Sequence, residues 1–249
     1  MPNDLEGLVA LVTGGGSGIG RATSLLLAER GANVLVADID GTHADKVASE
    51  IGDAASASQV DVTDIAGVDA MVQTAVSTYG ALHIAVNNAG TSGTFGATAD
   101  VDPDDWRRVI ELNLNGVFYC MRAEIPAILA AGGGAVVNTS SGAGLMGFAG
   151  LPAYVASKHG VIGLTRSAAL EYSAKGVRVN CVCPGTVRTP MLEAFSGDEA
   201  TLEAMGRAMP IKRLATPEEI AEAIVWLASP AASYVTGHAL AVDGGAAAQ

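Results

Sequence analysis

A glycine-rich segment near the amino terminus constrains the fold of this chain more than any other feature. The apolar run 8–12 leads directly into Thr-Gly-Gly-Gly-Ser-Gly-Ile-Gly at residues 13–20, and a helical pattern follows at once. Glycines at such a turn let the backbone approach a pyrophosphate, and the next helix offers unpaired N–H groups with partial positive charge. The order of strand, glycines and helix therefore predicts a dinucleotide site. The expected contacts are Gly14, Ser17, Gly18, Ile19 and Gly20.

Short apolar runs alternate with longer amphipathic runs along the rest of the chain. The runs 8–12, 33–37, 82–86, 135–138 and 177–182 predict strands, with 57–60 as a weaker candidate and 238–242 as the last strand. Helical patterns cover residues 19–30, 42–51, 65–79, 103–130, 152–174 and 217–228. Strands that are apolar on both faces are typical of a parallel sheet covered by helices on both sides. The sequence therefore predicts one α/β domain over residues 1–249, a doubly wound parallel sheet (Rossmann) of about seven strands.

Residues 191–214 are the least regular part of this pattern. They carry no strand signal and lie between a Pro-Gly turn and the last helical run. A segment of this length inside a compact domain is more often a functional loop than filler. We therefore expect a substrate loop or lid around residues 191–214.

Charge and composition narrow the classes of partner. The 249 residues carry a formal net charge of -12 and no basic run, so a nucleic-acid partner is not expected. The amino terminus lacks a signal-peptide pattern, and no run approaches the roughly 18 apolar residues of a membrane span. The three cysteines and four histidines form no ligand pattern, so we expect buried reduced thiols and no metal site. A cytoplasmic protein is the simplest expectation.

An aspartate lies where the second predicted strand ends, about twenty residues after the glycines. A carboxylate at this place, here Asp38, accepts hydrogen bonds from the ribose 2′-OH of NAD and repels the 2′-phosphate of NADP. The following residues, Ile39 and Asp40, supply no positive charge. An ordinary aspartate at a strand end is the alternative interpretation. Position and motif together favour NAD, with Asp38 and Ile39 as cofactor contacts.

Five motifs occur in a fixed order along nearly the whole chain. They are Thr13-Gly-x-x-x-Gly-Ile-Gly20, Asn87-Asn-Ala-Gly90, Ser141, Tyr154-x-x-x-Lys158 and Pro184-Gly185. Each alone is weak, but together, spaced and ordered in this way, they are very specific. From about residue 5 to residue 245 the sequence resembles the short-chain dehydrogenase/reductase family. The resemblance implies a nicotinamide cofactor, NAD in this chain, and a homotetramer.

The Tyr-x-x-x-Lys motif carries the expected proton chemistry. Tyr154 and Lys158 are four residues apart on a predicted helix, so they share one face. A free phenol has a pKa of about 10, and a nearby ammonium lowers that pKa by favouring the phenolate. Tyr154 is therefore the expected base in alcohol oxidation and the expected acid in ketone reduction. An aromatic–cation contact on a helix surface is the alternative, and the accompanying motifs favour catalysis.

The resemblance assigns the remaining catalytic roles. Ser141, at the end of a predicted strand, would bond the substrate oxygen, and the family's spacing favours it over the adjacent Ser140. Asn113 matches the family's active-site asparagine, which bends a helix and holds a water leading toward the lysine. Asn115 is the competitor for that role. Lys158 would also bond the nicotinamide ribose.

Further cofactor contacts follow from the same resemblance. Asp61 and Val62 would flank the adenine, and Thr189 would lie near the carboxamide and the pyrophosphate. Residues 87–90 would pass beside the adenine ribose, although a purely structural role is nearly as strongly indicated. Beyond the glycine turn, the expected cofactor set is Asp38, Ile39, Asp61, Val62, Asn88, Ala89, Gly90, Tyr154, Lys158, Pro184, Gly185, Val187 and Thr189.

The expected reaction is reversible oxidation of a secondary alcohol to a ketone with NAD. The candidate walls of the substrate site are mostly apolar and include no Arg or Lys. They are Ser92, Gly93, Thr94, Ala143, Leu145, Met146, Gly185, Met191, Leu192, Phe195 and Met205. A hydrophobic ring or chain alcohol therefore fits better than a phosphorylated sugar.

Two other functions stay open at this point. Close relatives in the family reduce 3-oxoacyl chains on an acyl carrier protein, but Asp38 and the lack of an arginine after Gly90 weigh against that activity. The other function is that of a nucleotide-binding regulator without catalysis. Such proteins usually lose the reactive residues, which are all present in this chain.

Overall fold

The computed structural model describes residues 4–248. Its strands are β1 (Val9–Thr13), β2 (Asn33–Asp38), β3 (Ala55–Gln59), β4 (Ile84–Asn87), β5 (Gly134–Thr139), β6 (Val177–Pro184) and β7 (Ala239–Val242). They form one seven-stranded sheet in the order β3-β2-β1-β4-β5-β6-β7. Every neighbouring pair of strands is parallel. The predicted doubly wound α/β sheet is therefore confirmed.

Helices cover both faces of this sheet. They are α1 (Gly18–Glu29), α2 (Gly41–Ile51), α3 (Ile65–Tyr79), α4 (Pro103–Ile110), α5 (Gly116–Ala130), α6 (Pro152–Tyr172), α7 (Pro190–Ser196), α8 (Glu199–Ala208) and α9 (Pro217–Ala228). The buried side chains of α1, α2 and α9 pack with one face of the sheet, and those of α3, α5 and α6 pack with the other. The central strands are buried along their whole length, because both of their faces meet a helical layer.

The helical pattern over residues 103–130 is not one continuous helix. A π-helical turn, Glu111–Asn115, separates α4 from α5 and holds the fully buried Asn113. A π turn accommodates one more residue than an α-helical turn and occurs frequently at functional sites. Hydrophobic periodicity alone could not reveal this break, since both halves keep an apolar face.

Residues 191–214 are more regular than the sequence pattern indicated. α7 and α8 occupy most of the segment, with Gly197 between them in a left-handed conformation, φ +77°. Thr189 and Asp198 cap the two helices by accepting hydrogen bonds from Leu192 N and Thr201 N. These caps and the proline that starts α7 are local sequence signals for the start of a helix. The role of this segment as a substrate lid stays a prediction.

Membrane insertion has no support in the described helices. Within residues 4–248, none is both long enough and apolar enough to cross a bilayer.

Candidate active site and dinucleotide cleft

The carboxyl ends of the parallel strands meet along one edge of the sheet, and most predicted site residues lie there. β1 ends at Thr13, before the glycine turn, and its neighbours β2 and β4 end at Asp38 and Asn87. β5 and β6, next in the sheet, end at Thr139 and Pro184. Chain connections diverge on either side of β1 and β4, where open α/β sheets leave a ligand crevice.

The glycine turn after β1 depends on close backbone contacts. Gly18 has a φ of +50°, a conformation that a side chain would strain. A Cβ on Gly20 would collide with the carbonyl oxygen of Gly14. The side-chain amide of Asn88 donates to the carbonyl oxygens of Thr13, at 3.2 Å, and Gly14, at 3.3 Å. The structure therefore brings Gly14, Gly18, Gly20 and Asn88 together, as a backbone cradle requires.

The start of α1 is suited to an anion. Ser17 is the N-cap residue, yet its side chain makes no capping bond, and the first turn holds no acidic residue. By contrast, Asp40, Asp64 and Thr216 cap α2, α3 and α9 through their side chains. Exposed amides and the helix dipole favour phosphate oxygens at such an end. Ile19, the second residue of α1, is half-buried and packs against the apolar layer.

Asp38 closes the cradle on the side of β2. Its Oδ2 accepts a hydrogen bond from Gly16 N at 2.9 Å, and its Oδ1 accepts one from Asp40 N at 3.0 Å. A Cβ on Gly16 would lie only 2.8 Å from Oδ2, so the turn and the carboxylate are in close contact. An ionised carboxylate has lone pairs for further donors, and hydroxyl groups of a ribose suit it. The acceptor oxygens of Asp38 and the glycine cradle together fit a dinucleotide.

Three predicted contacts lie farther along the same edge. Ile39 follows Asp38 and is 65% exposed. Asp61 follows β3, and its Oδ1 accepts hydrogen bonds from Thr63 N at 2.9 Å and Thr63 Oγ1 at 2.7 Å. Val62 is buried in the apolar layer that contains α5. The contact of Ile39 with the cofactor and the contacts of Asp61 and Val62 with the adenine stay predictions.

The Pro-Gly turn after β6 leads back toward the glycine turn. Gly185 N donates to Val242 O at 3.0 Å, which holds the turn against β7. Val187 pairs with Ala215 in an isolated parallel bridge, so the two ends of the 191–214 segment are joined. A Cβ on Gly18 would lie 3.2 Å from Thr189 Cγ2, which places Thr189 beside the start of α1. The predicted position of Thr189 near the pyrophosphate is compatible with this contact.

Tyr154, Ser141 and Lys158 lie close together where β5 ends and α6 begins. The Lys158 ammonium lies 5.6 Å from the centre of the Tyr154 ring and donates to Thr139 O at 2.9 Å. Burial raises the pKa of the Tyr154 phenol, and the neighbouring Ser141 hydroxyl offsets part of that rise. Ser141 Oγ also accepts a bond from Ala143 N at 3.1 Å, which fixes its rotamer.

The pKa values at this cluster differ from the sequence-based expectation. Burial raises the pKa of Tyr154 above its ordinary value of 10, and the bond with Ser141 offsets only part of that rise. Burial also lowers the pKa of Lys158 to about 8. The expected lowering of the phenol pKa by Lys158 is absent because the ammonium bonds the backbone of β5 rather than the phenol oxygen. Burial is a property that residue spacing cannot supply.

Asn113 links the π turn to the cleft. Its Nδ2 donates to Thr91 O at 2.8 Å, and its Oδ1 accepts from Thr91 N at 2.8 Å. A Cβ on Gly90 would lie 3.1 Å from this Oδ1 and 3.5 Å from Lys158 Nζ, so Gly90 separates the two side chains. Asn115 instead donates to Glu111 Oε2 at 2.6 Å within the turn. The geometry favours Asn113 over Asn115 as the residue beside Lys158.

The two adjacent serines, Ser140 and Ser141, make different contacts in the structure. Ser140 is buried, and its hydroxyl donates to Lys158 O at 2.9 Å, which ties β5 to α6. Ser141 is only half-buried and lies next to the phenol. Ser140 therefore supports the helix that carries Lys158, and Ser141 is the serine available to a substrate.

Sequence reasoning named Phe195 as a candidate wall of the substrate site but missed its aromatic partner, Phe95. Phe95, in the loop after β4, and Phe195, on α7, pack edge to face with ring centres 6.3 Å apart. A Cβ on Gly150, two residues before α6, would collide with the Phe95 ring. The sequence offered one signal for Phe95, namely that phenylalanine is rare in this chain, with only 4 occurrences. All four are exposed, and Phe148 lies between Ser141 and Tyr154 in the sequence.

Metal ligation finds no candidate within the described part of the chain. No group of three or more His, Cys, Asp or Glu side chains in residues 4–248 is placed to hold an ion. The expectation of a metal-free site stays a prediction.

Comparisons with known proteins agree with this geometry. A family model described as enoyl-(acyl carrier protein) reductase matches residues 14–247. A cyclohexanol dehydrogenase from Acinetobacter sp. (strain SE19) is 50% identical over 247 residues, covering 98% of this chain and 96% of that protein. A cis-4-hydroxycyclohexanecarboxylate dehydrogenase from Sinomonas cyclohexanicum is 47% identical over 241 residues, covering 95% of each protein.

A solved structure matches over the same extent. The 3-ketoacyl-(acyl-carrier-protein) reductase from Brucella melitensis, complexed with NADH, superimposes with a TM-score of 0.91 at 36% identity. The match covers 98% of this chain and 99% of that one. The chain belongs to the short-chain dehydrogenase/reductase family, an oxidoreductase family whose fold and motifs it shares.

Proposed function

We propose that this protein is an NAD-dependent dehydrogenase that interconverts a secondary alcohol on a carbocyclic ring and the corresponding ketone. The observation that carries the proposal is the cluster of Ser141, Tyr154 and Lys158 beside the glycine turn and Asp38. The two relatives described above are, by name, dehydrogenases of cyclohexanol and of a hydroxycyclohexanecarboxylate.

The chain's own residues handle the substrate proton. Ser141 donates a hydrogen bond to the substrate oxygen and holds it against the Tyr154 phenol. Tyr154 Oη then accepts the hydroxyl proton in oxidation and returns it in reduction, a step worth about 10²–10⁴ in rate. When bound, the nicotinamide exchanges a hydride with the carbinol carbon, which is the chemistry that side chains lack.

Lys158 holds a positive charge near the phenol and is placed to bond the cofactor. Its pKa of about 8 leaves the ammonium mostly charged at pH 7, 5.6 Å from the centre of the Tyr154 ring, although the phenol pKa stays raised by burial. The only bond described for its ammonium is to Thr139 O, so its other N–H groups can meet a ribose hydroxyl. Asn113, next to Gly90, lies where a water could pass the proton outward.

The aromatic pair explains why a ring alcohol suits the site. Phe95 is 62% exposed and Phe195 is 37% exposed, so part of each ring stays open to contact with a substrate. The Phe95 loop is fixed on both sides, because Thr94 N donates to Asp105 Oδ2 at 2.8 Å and Gly96 N donates to Gly150 O at 2.9 Å. Apolar faces held in this way bind a saturated ring without needing any polar substituent.

Reduction of a 3-oxoacyl chain on a carrier protein is the second candidate. The structural match to a 3-ketoacyl reductase supports it. Asp38 disfavours NADP, and no arginine lies in the segment 91–97 after Gly90. A binding protein without catalysis would have no need of the intact Ser141, Tyr154 and Lys158. Carbocyclic alcohol oxidation therefore ranks first.

A substrate panel tests this proposal. Purified protein with NAD should form NADH from cyclohexanol faster than from linear 2-hexanol, judged by kcat/KM. In the reduction direction, kcat/KM with NADH should be lower for a 3-oxoacyl thioester than for cyclohexanone. The reverse order would favour the acyl reductase, and no turnover with any member would favour the binding protein.

Replacing Asp38 tests the cofactor preference. Wild-type protein should bind NADH at least tenfold more tightly than NADPH, because the carboxylate repels the 2′-phosphate. Asp38→Ala should reduce that ratio by about tenfold, which is about 1.4 kcal/mol, as measured by fluorescence titration. Asp45→Ala, which removes an exposed carboxylate from α2, is the control and should leave the ratio unchanged. An unchanged ratio in Asp38→Ala would show that this carboxylate does not select the cofactor.

Replacing Phe95 tests the substrate class. Phe95→Ala should raise KM for cyclohexanol about fivefold, as expected for loss of roughly 1 kcal/mol of aromatic packing. The KM for NAD should not change, because Phe95 has no contact with the glycine turn. Phe118→Ala, at an exposed phenylalanine on α5, is the matched control. Equal effects in the two variants would remove Phe95 from the substrate site.

A further inference from the structure

A buried polar network lies under the sheet edge that forms the cleft. Glu124 on α5 is completely buried, and its Oε2 accepts a hydrogen bond from Asn87 Nδ2 at 3.0 Å. Asn87 Nδ2 also donates to Asn138 Oδ1 at 3.0 Å. Asn138 Nδ2 in turn donates to Thr165 Oγ1 at 2.9 Å. The network therefore ties α5, β4, β5 and α6 together, and the dehydrogenase mechanism above uses none of its members.

Two oxygen atoms of this network have no donor. They are Glu124 Oε1 and Asn87 Oδ1, the only buried side-chain polar atoms within residues 4–248 that lack a hydrogen-bond partner. Leaving a buried acceptor unpaired costs about 1–3 kcal/mol. Both atoms belong to the same two side chains that already share one hydrogen bond. One added proton can satisfy both of them.

We infer that Glu124 is a neutral carboxylic acid that forms a cyclic, two-bond pair with the Asn87 amide. In this pair Asn87 Nδ2 donates to Glu124 Oε2, and the proton on Glu124 Oε1 is donated to Asn87 Oδ1. The second N–H of Asn87 continues to Asn138, so every polar atom of Asn87 is used. The assignment follows from which atoms are paired and which are not.

The surroundings of Glu124 oppose its ionisation. None of the ion pairs found in residues 4–248 includes Glu124. An unpaired carboxylate in an apolar interior is strongly disfavoured and takes up a proton instead. Burial raises the pKa of Glu124 to about 7, although the bond from Asn87 lowers it. An ionised Glu124 would need a second donor at Oε1, and no protein group supplies one.

The titratable groups around Glu124 are engaged elsewhere. Cys120, one turn earlier on α5, is buried, and the pKa of its thiol is raised by burial and by Glu124. On neighbouring elements, the Asp69 carboxylate forms an ion pair with Arg122, and Tyr79 donates a hydrogen bond to Ser56. Glu111 accepts hydrogen bonds from Asn115 and Tyr119. The two cations, Arg178 and Lys158, donate to backbone carbonyl oxygens. Cys181 and Cys183 are buried free thiols. None of these groups offers a cation to Glu124.

The cyclic pair makes Glu124 a positioning residue for the cofactor cleft. Asn87 is the last residue of β4, and the next residue, Asn88, holds the carbonyls of the glycine turn. Asn138 immediately precedes Thr139, whose carbonyl accepts the Lys158 ammonium. The pair therefore fixes β4 and β5 one residue below two groups that the proposed function needs.

The pair also makes stability depend on pH in a definite direction. A glutamate has an ordinary pKa of 4.5, and the folded-state pKa here is about 7. The folded state therefore retains a proton that the unfolded chain loses between these values. The stabilising contribution of Glu124 is complete below pH 4.5 and is lost as the pH rises to about 7.

Glu124→Gln is the decisive variant, because a glutamine amide forms the same two-bond pair with Asn87 and cannot ionise. Its Tm should match that of wild type near pH 5 and exceed it by about 5 °C or more above pH 8. Glu29→Gln, at an exposed glutamate on α1, should show no such divergence. Near pH 6, where ordinary carboxyl groups are ionised and Glu124 keeps its proton, the infrared spectrum of wild type should contain a carboxylic-acid carbonyl band that Glu124→Gln lacks.

Glu124→Leu tests the positioning role separately. It keeps a side chain of similar size but cannot pair with Asn87, so NADH should bind several-fold more weakly at pH 6, where Glu124→Gln should match wild type. Binding by Glu124→Leu equal to that of wild type would overturn the positioning role. A constant Tm difference between Glu124→Gln and wild type from pH 5 to pH 8, or no acid band, would show that Glu124 is ionised.

Discussion

Tyr154→Phe should lower kcat for cyclohexanol oxidation by about 10³ or more, while the dissociation constant for NADH stays within about twofold of wild type. The proposed role of Tyr154 predicts this loss, because phenylalanine keeps the ring but removes the phenol oxygen that would accept the substrate proton. Steady-state NADH formation gives kcat, and fluorescence titration gives NADH affinity.

A tyrosine outside the cleft serves as the control for this substitution. Tyr234, after α9, is fully exposed, and Tyr234→Phe should retain the wild-type rate. A Tyr154→Phe protein that kept a substantial fraction of kcat would show that another group, or water alone, accepts the proton.

Lys158→Met should remove most activity and at the same time stabilise the cofactor-free protein. The ammonium of Lys158 is almost completely buried, and burial lowers its pKa from an ordinary 10.5 to about 8. At pH 7 the folded protein therefore carries a buried charge that methionine would replace with an apolar group of similar length. We expect a gain of about 1–3 kcal/mol in the free energy of unfolding and a loss in kcat of at least about 10².

The pH dependence of that gain identifies its cause. Because the pKa of Lys158 is lowered in the folded state, the cost of its charge is greatest below pH 8 and disappears as the pH rises toward 10.5. The Tm difference between Lys158→Met and wild type should therefore shrink over that interval. Lys175→Met, at the exposed lysine that follows α6, should show neither effect. A less stable Lys158→Met protein would mean that the buried ammonium stabilises the folded state.

The sequence specifies the sheet well because its signals are local. Each central strand is a short apolar run, and the glycine turn must lie between a strand and a helix to work as a cradle. The cluster of Tyr154 and Lys158 was equally predictable, since four residues along a helix return to one face. The helix caps Thr189 and Asp198 are also local signals, and they could have predicted the starts of α7 and α8.

Features that depend on burial or on long-range packing were not predictable. The π turn at Asn113 preserves the hydrophobic pattern on both sides, so periodicity passes through it unchanged. The raised pKa of Tyr154 and the buried Glu124 arise from neighbours far away in sequence. The pairing of Phe95 with Phe195 joins a loop and helix α7, which only the folded chain brings together.

The expected assembly rests on family resemblance, and the expected location rests on the sequence pattern. We expect a homotetramer, and exposed apolar side chains such as Phe118 on α5 and Leu170 on α6 suit a contact between subunits. A cytoplasmic location and the lid function of residues 191–214 are likewise proposals.

A crystal structure of the protein with NADH tests the central claim most directly, namely that the Tyr154–Lys158 pair acts on substrate beside a bound dinucleotide. The account predicts the pyrophosphate at the start of α1, the adenine ribose on Asp38, and Lys158 Nζ on the nicotinamide ribose, with the Tyr154 phenol open to the nicotinamide face. A nicotinamide ring bound elsewhere, with protein atoms between it and the Tyr154 phenol, would contradict the account.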